Sequence, residues 1–104
     1  MNKQISWNLK KMAEEFSHGK DLKRIIQGSF VNVLMIHLTF DSPIPPHYED
    51  YDAIFFVWEG KGVIQIGEEK IPVSSGMMVA SPKQLLRGIT PDGLLLILGL
   101  QEPH

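Results

Sequence analysis

The chain has 104 residues, no cysteine and a formal net charge of −2 at pH 7. This length predicts a single domain, 1–104, that buries roughly 60–70% of its unfolded surface. The lack of cysteine excludes disulfide and thiolate chemistry and fits a reducing cytoplasm. Because the chain has no basic block and no apolar run of the ~20 residues that a membrane span needs, neither nucleic acid nor membrane is an expected partner.

An amphipathic pattern marks the N-terminal part of the chain. Its apolar residues recur at helical spacing: Ile5, Leu9, Met12 and Phe16. This predicts a helix over about 6–17 that ends near Gly19, with His18 in a structural role where the helix dipole favours a cation. The apolar stripe predicts a lid on the same chain or on a dimer mate, and a surface for another partner is the alternative.

Short runs of β-branched and large apolar residues follow, separated by Gly, Pro, Asp and Ser. The predicted strands are 22–26, 30–40, 53–59, 63–66, 71–73, 77–80, 85–89 and 94–100. The predicted turns are 59–62, 67–70, 74–76 and 91–93, and a loop stiffened by prolines covers 43–46. About eight short, evenly spaced strands predict a sandwich or barrel over about 22–100.

Polar chemistry is concentrated directly before the central strand. His47, Glu49 and Asp52 lie in a short loop, and an apolar run begins at Ala53. Alternation places Ala53, Phe55 and Val57 toward the inside, where they line a cup-shaped site. The outward set, Ile54, Phe56 and Trp58, then needs cover from the N-terminal helix or a second subunit.

These turns and this loop resemble the cupin superfamily, in particular its small single-domain, RmlC-like members of the cupin-2 type, over roughly 36–100. The first cupin motif runs glycine, five residues, His-x-His, three or four residues, Glu, six residues, Gly. With Gly60 as the anchor, the opening glycine falls on Asp41, the histidines on His47 and Glu49, and the glutamate on Ala53, beside Asp52. In the second motif the turn glycine and the proline match Gly76 and Pro82, but the histidine position holds Arg87.

The resemblance implies an all-β fold: a jelly-roll barrel, or double-stranded β-helix, with a short helix before it. It also implies a homodimer, the common state of small cupins, and a divalent iron, manganese, nickel or zinc held by three histidines and a glutamate. Of these ligands only His47 matches by residue type.

Arg87 is the departure with the largest physical consequence. Arginine has no lone pair to offer a metal and stays protonated. It repels a cation by about 4 kcal/mol per unit charge at 4 Å and an effective dielectric near 20. We therefore expect no cofactor, and we expect the guanidinium to take the place of the metal and to pair with Glu49 or Asp52.

Several functions are compatible with this cup. The first is a non-catalytic or ligand-binding module that holds a small anionic or sugar-like molecule with Glu49, Asp52, Arg87, Phe55 and Val57. The alternative is a metal-dependent dioxygenase or isomerase with an atypical ligand set, His47, Glu49 and Asp52, to which His37 adds a further ligand. A third possibility is metal-free acid–base catalysis by His47, because imidazole exchanges protons near neutral pH. A fourth is a domain that serves only to form a dimer.

Overall fold

The computed structural model describes residues 4–17, 19–28 and 30–104, and within these ranges the chain is built from strands and one short helix. The elements are α1 (Leu9–Ala13), β1 (Asp21–Gln27), β2 (Asn32–Leu38), β3 (Ile44–His47), β4 (Ala53–Ile66), β5 (Glu69–Ser74), β6 (Met78–Ser81) and β7 (Arg87–Gln101). This confirms the predicted all-β class with a short N-terminal helix. No helix in the described ranges is long and apolar enough to cross a membrane.

Two long strands, β4 and β7, hold the molecule together. They pair antiparallel from Ala53↔Gln101 at one end to Ile66↔Arg87 at the other. The first half of β4 and the second half of β7 lie in one layer with β1, β2 and β6. Their other halves lie in a second layer with β3 and β5. Each long strand therefore bends across both layers, and the two layers enclose one core.

The core follows the alternation of the sequence. Ala53, Phe55 and Val57 are buried, whereas Ile54 on the opposite face is 39% exposed. Strand β2 contributes its inner residues in the same way, and the core cluster includes Leu34, Ile36, Leu38, Ile64, Ile89, Leu95 and Ile97. At roughly 1.5–3 kcal/mol for each fully buried aliphatic side chain, this cluster is the main source of stability.

Two of the predicted turns are wrong. Residues 59–62 continue β4, and residues 91–93 lie inside β7. The pairing passes from Gly60↔Leu95 to Gly62↔Pro91, so β7 carries the extra residues of a bulge at this point. Glycine is needed at position 60 because a Cβ there would lie 1.9 Å from the Leu94 carbonyl oxygen. These glycines allow two strands to approach each other and do not reverse the chain.

Most of the predicted proline-rich loop is also a strand. Ile44–His47 forms strand β3, which pairs with β7 at Ile44↔Ile89 and His47↔Arg87. Proline has no N–H to donate, so it is tolerated in an edge strand such as this one. As a result His47 is held by a strand, opposite Arg87.

The N-terminal helix is shorter than predicted, Leu9–Ala13 instead of 6–17. It begins where the Asn8 side chain accepts a hydrogen bond from the Lys11 N–H at 2.9 Å. None of its residues is buried, so packing of the apolar stripe stabilises the helix only weakly. Because a short helix depends on such packing, it does not extend further. His18, expected at the end of the helix, lies outside the described residues.

Candidate functional site

A cavity of about 190 Å³ lies between the inner faces of the two layers. Its apolar wall comes from strands of both layers and consists of Leu22, Leu34, Ile36, Ile44, Phe55 and Ile89. Its polar lining consists of Lys20, His47, Glu49, Tyr51, Arg87 and Gln101. The structure therefore places a polar cup next to the central strand, as the sequence predicts.

The spacing of the chain before β4 decides which side chains reach the cup. His47, Glu49, Tyr51 and Phe55 are separated by even numbers of residues, and all of them line the cavity. Asp52 has the opposite parity and does not line it.

Two predicted cup residues lie elsewhere. Asp52 is exposed, and its Oδ1 accepts a hydrogen bond from the Lys83 N–H at 2.8 Å, which makes it a loop cap. Val57 points inward as expected, but it is fully buried within the core cluster and does not line the cavity. Neither residue therefore lines the cup, in contrast to the expectation from the sequence.

His47 and Glu49 form a hydrogen-bonded pair at the side of the cup. Nε2 of His47 lies 3.1 Å from Oε2 of Glu49, and Nδ1 lies 3.0 Å from the carbonyl oxygen of Pro45. A carbonyl oxygen accepts only, so Nδ1 carries a proton and donates it. The carboxyl group of Glu49 is therefore engaged by the imidazole.

Arg87 is 3% exposed and is held by the main chain. Its Nη2 donates to the carbonyl oxygen of Tyr51 at 2.6 Å and to that of Ser81 at 3.1 Å. The guanidinium also lies under the ring of Tyr51, at 4.9 Å from the ring centroid. Its Nε is buried without a hydrogen-bond partner among the described residues, as is the hydroxyl of Ser81.

The predicted ion pair between Arg87 and Glu49 or Asp52 is absent from the described part of the structure. Asp52 faces away from the cup, and Glu49 is bonded to His47. Two backbone carbonyl oxygens accept from the arginine instead. The charge of the guanidinium is therefore not cancelled by a carboxylate in direct contact.

Tyr51 is the second aromatic partner in this cluster. Burial raises the pKa of its hydroxyl above the usual value of 10.0, and the negative charge of Glu49 raises it further, while Arg87 acts in the opposite direction. The phenol is therefore neutral at physiological pH.

The rim of the cup is tied together by contacts between two loops. The Gln84 N–H donates to the Glu49 carbonyl oxygen at 3.1 Å, and its side-chain amide donates to Asp50 Oδ1 at 2.7 Å. Gln84 has a φ of 70°, the left-handed region that a non-glycine residue rarely adopts. The segment that contains Glu49 and Tyr51 is thus held in place by hydrogen bonds from Gln84, in the loop that precedes Arg87.

No protein-family model and no curated protein sequence matches the chain. Solved structures do match it over almost its full length. A cupin superfamily protein from Desulfitobacterium hafniense DCB-2 superposes with a TM-score of 0.81 at 13% identity, covering 100% of this chain and 95% of that one.

Two further solved structures agree with this match. A cupin-2 domain containing protein from Shewanella frigidimarina NCIMB 400 gives 0.80 at 19% identity, covering 94% of each chain. An RmlC-like cupin family protein with a double-stranded β-helix fold from Methanocaldococcus jannaschii gives 0.79 at 15% identity, covering 100% and 94%. The chain has the cupin fold. The predicted double-stranded β-helix is confirmed.

Cupins usually hold a divalent metal in this cup, and the residues of this chain do not fit one. Among the described residues, no three His, Cys, Asp or Glu side chains are grouped as a metal site requires. Only His47 and Glu49 meet, while Asp52 lies outside and Arg87 brings a positive charge. The alternative ligand set of His47, Glu49 and Asp52 is therefore not assembled.

His37 does not join the cup of this cupin fold either. It is 7% exposed on the outer face of β2, where its ring stacks on Phe16 with centroids 5.0 Å apart. Its Nδ1 lies 2.7 Å from the carbonyl oxygen of Gly19, to which it donates. The residue fastens the N-terminal segment to the barrel, in agreement with its interpretation as a satisfied, buried histidine.

Three polar residues of the cup are not among the predicted site residues: Lys20, Tyr51 and Gln101. Tyr51 was detectable, because it has the same parity as His47 and Glu49. Lys20 and Gln101 are distant from the motif along the chain, and only the pairing of β2 with β1 and β7 brings their segments to the cup.

Proposed function

We propose that this protein is a small-molecule-binding module of the cupin fold whose cup works without a metal. The observation that supports this most strongly is Arg87, a buried guanidinium on the cavity wall that is fixed through Nη2 by two carbonyl oxygens. Fixed, directional donors beside an apolar wall are typical of ligand pockets. A purely structural arginine would have its donors satisfied within the protein.

The arrangement of charges argues for a cup without a metal. A cation near Arg87 meets a positive charge that no carboxylate in contact cancels, at a cost of about 4 kcal/mol per unit charge at 4 Å and a dielectric near 20. His47 offers Nε2 toward Glu49, and a metal would have to displace that contact. In this proposal the guanidinium of Arg87, and not a metal ion, binds the ligand.

The state of His47 favours binding over turnover. A general base needs a free lone pair within reach of the ligand, and both ring nitrogens of His47 face acceptors of this chain. We therefore assign His47 a part in holding the shape of the cup, and we reserve an acid–base role for a ligand that displaces Glu49.

We further propose a homodimer that works in the cytoplasm. The outer face of β4 and β6 carries the apolar side chains of Ile54 and Met78, which are 39% and 68% exposed. Phe30, 77% exposed, lies with Ile54 at a surface groove of about 290 Å³. Exposed apolar clusters of this kind are typical of protein contacts, and a second copy of the chain is the occupant that we propose. The lack of cysteine fits a reducing compartment.

The test is a fragment screen by ¹⁵N NMR, combined with titration of zinc and nickel. We expect fragments to shift the amide signals of Gly88, Ile89 and Tyr51, and Ile44→Trp, which fills the cup, to abolish these shifts. Leu85→Trp, an exposed position outside the cup, is the matched control.

Two results would overturn the proposal. One is a screen in which no fragment shifts the cup signals of the folded protein. The other is stoichiometric binding of zinc or nickel that is lost in His47→Ala.

A further inference from the structure

We propose that the ligand of the cup is a small organic carboxylate with an apolar body, and not a sugar; this inference rests on the proposed binding function. The charges, the free donors and the walls of the cavity each support it independently.

The charged groups that line the cup leave an excess of positive charge. Glu49 supplies the single carboxylate among the described residues that line the cup, and its Oε2 contacts Nε2 of His47. The phenol of Tyr51 is neutral. Against this one carboxylate the lining carries two cations, Lys20 and Arg87. A ligand with a negative charge balances the excess, whereas a neutral ligand leaves it unbalanced.

A third cation lies beside the opening. Arg24 on β1 pairs with Leu34, whose side chain lines the cavity, so both residues share the inner face of the sheet. Arg24 is exposed, which places it at the edge of the cup rather than inside it. Its charge adds to the attraction for an anion from solution.

The guanidinium of Arg87 offers a defined place for the carboxylate. Both of its hydrogen bonds to the described residues use Nη2, and Nη1 makes none there. Nη1 is also not among the fully buried polar atoms without a partner, and Arg87 lines the cavity, so we assign Nη1 as the donor to the ligand. An N–H of a guanidinium donates strongly to a carboxylate oxygen.

The remaining walls select against a sugar. Most of the sheet surface in the cavity is aliphatic or aromatic, from Leu34, Ile36, Phe55 and Ile89. A sugar buries several hydroxyl groups, each of which needs a partner that such a wall does not provide. The cavity of about 190 Å³ lies below the roughly 300–1,000 Å³ of pockets for drug-sized ligands, so the body of the ligand is small.

The test compares acids with their own amides. Isothermal titration with butyrate, benzoate and phenylacetate, each beside its neutral amide, isolates the charge while it keeps the shape. We expect at least one acid to bind roughly tenfold or more tightly than its amide, with an affinity that falls as salt rises. Inorganic phosphate and glucose serve as the anion without an apolar body and as the sugar.

Variants locate the effect in the cup. Lys20→Met removes an exposed lining cation and is expected to weaken the acid by roughly threefold to tenfold while the amide is unaffected. Lys61→Met removes an exposed lysine that does not line the cup and should change neither ligand. Arg87→Met should remove the preference for the acid, provided that its NMR spectrum shows a folded protein.

The outcomes separate the two proposals. If amides or glucose bind as tightly as the acids, the carboxylate inference is overturned while the binding function stands. If phosphate binds and no organic acid does, the carboxylate inference is overturned in the same way. If neither acids nor neutral molecules bind, both proposals fail together.

Discussion

Tyr51 holds Arg87 in two ways: its ring lies 4.9 Å from the guanidinium carbon, and its carbonyl oxygen accepts from Nη2 at 2.6 Å. The contact crosses from the segment before β4 to the first residue of β7. Tyr51 thereby joins the arginine of the cavity lining to the segment that supplies His47 and Glu49. The cup is therefore organised around this pair rather than around a metal.

Loss of the guanidinium should destabilise the barrel. In Arg87→Met the carbonyl oxygens of Tyr51 and Ser81 lose their donor inside the protein. We expect the free energy of unfolding to fall by about 2–4 kcal/mol, because hydrogen bonds from a charged donor contribute about 1.5–3 kcal/mol each and methionine recovers part of the packing. Urea denaturation measures the change.

Lys83→Met is the matched control, since that exposed side chain makes no hydrogen bond or ion pair with the described residues and its loss should stay within about 0.5 kcal/mol. If Arg87→Met and Lys83→Met have the same stability, the arginine is not the anchor described here.

The raised pKa of Tyr51 predicts a measurable alkaline titration. In Tyr48→Phe only Tyr51 contributes a phenolate signal, and its midpoint should lie above 10.0, because burial and the charge of Glu49 disfavour the phenolate. Glu49→Gln in the same background should lower that midpoint. Absorbance of the phenolate against pH measures both, and a midpoint at or below 10.0 would contradict the burial of this hydroxyl.

The same shift gives the sign of the effect of pH on stability. A group whose pKa is raised by folding contributes stability that is complete below its unfolded pKa and is lost as pH rises toward the folded value. The stability of the protein relative to Tyr51→Phe should thus decline above pH 10 and be constant below it.

The proposed homodimer predicts an effect of charge on the outer face. Ile54→Glu places a carboxylate within the exposed apolar cluster that includes Met78, so dimerisation should weaken by roughly tenfold or more. Analytical ultracentrifugation over a concentration series measures the change. Leu85→Glu, at an exposed apolar position elsewhere, should leave the association unchanged. An unaltered protein that stays monomeric at high concentration would contradict the proposed dimer.

The sequence predicted the inner and outer faces of the strands because alternation follows directly from strand geometry. The burial of Phe55 and Val57 and the exposure of Ile54 agree with it. The same rule excludes Asp52 from the cup and includes Tyr51. Motif spacing had suggested Asp52 because it is next to the glutamate position, but an adjacent residue on an extended segment points to the opposite side.

The hydrogen-bond partners of Arg87 cannot be predicted from the sequence, for a different reason. An arginine and nearby carboxylates predict an ion pair, and no pattern of side chains reveals which backbone carbonyl oxygens lack a donor. Those of Tyr51 and Ser81 are brought to Arg87 only by the closure of the barrel. Such contacts become visible when the strands are in place.

The last prediction concerns two glycines whose positions are obvious in the sequence but whose structural roles are not. Gly60 and Gly76 have nearly equal positive φ angles, 95° and 93°. A Cβ at Gly76 would meet nothing within 4 Å, whereas one at Gly60 would lie 1.9 Å from the Leu94 carbonyl oxygen. The two positions therefore share the backbone strain and differ in the space available.

Gly76→Ala should cost about 1–2 kcal/mol, the penalty of the left-handed region alone. Gly60→Ala should cost this amount and, in addition, the displacement of β7 from β4, for a total of about 3 kcal/mol or more. Urea denaturation of both variants gives the difference. Equal losses would mean that Gly60 serves only as a turn residue, as its sequence pattern suggests, whereas a much larger loss in Gly60→Ala would show that it permits the close crossing of the two longest strands.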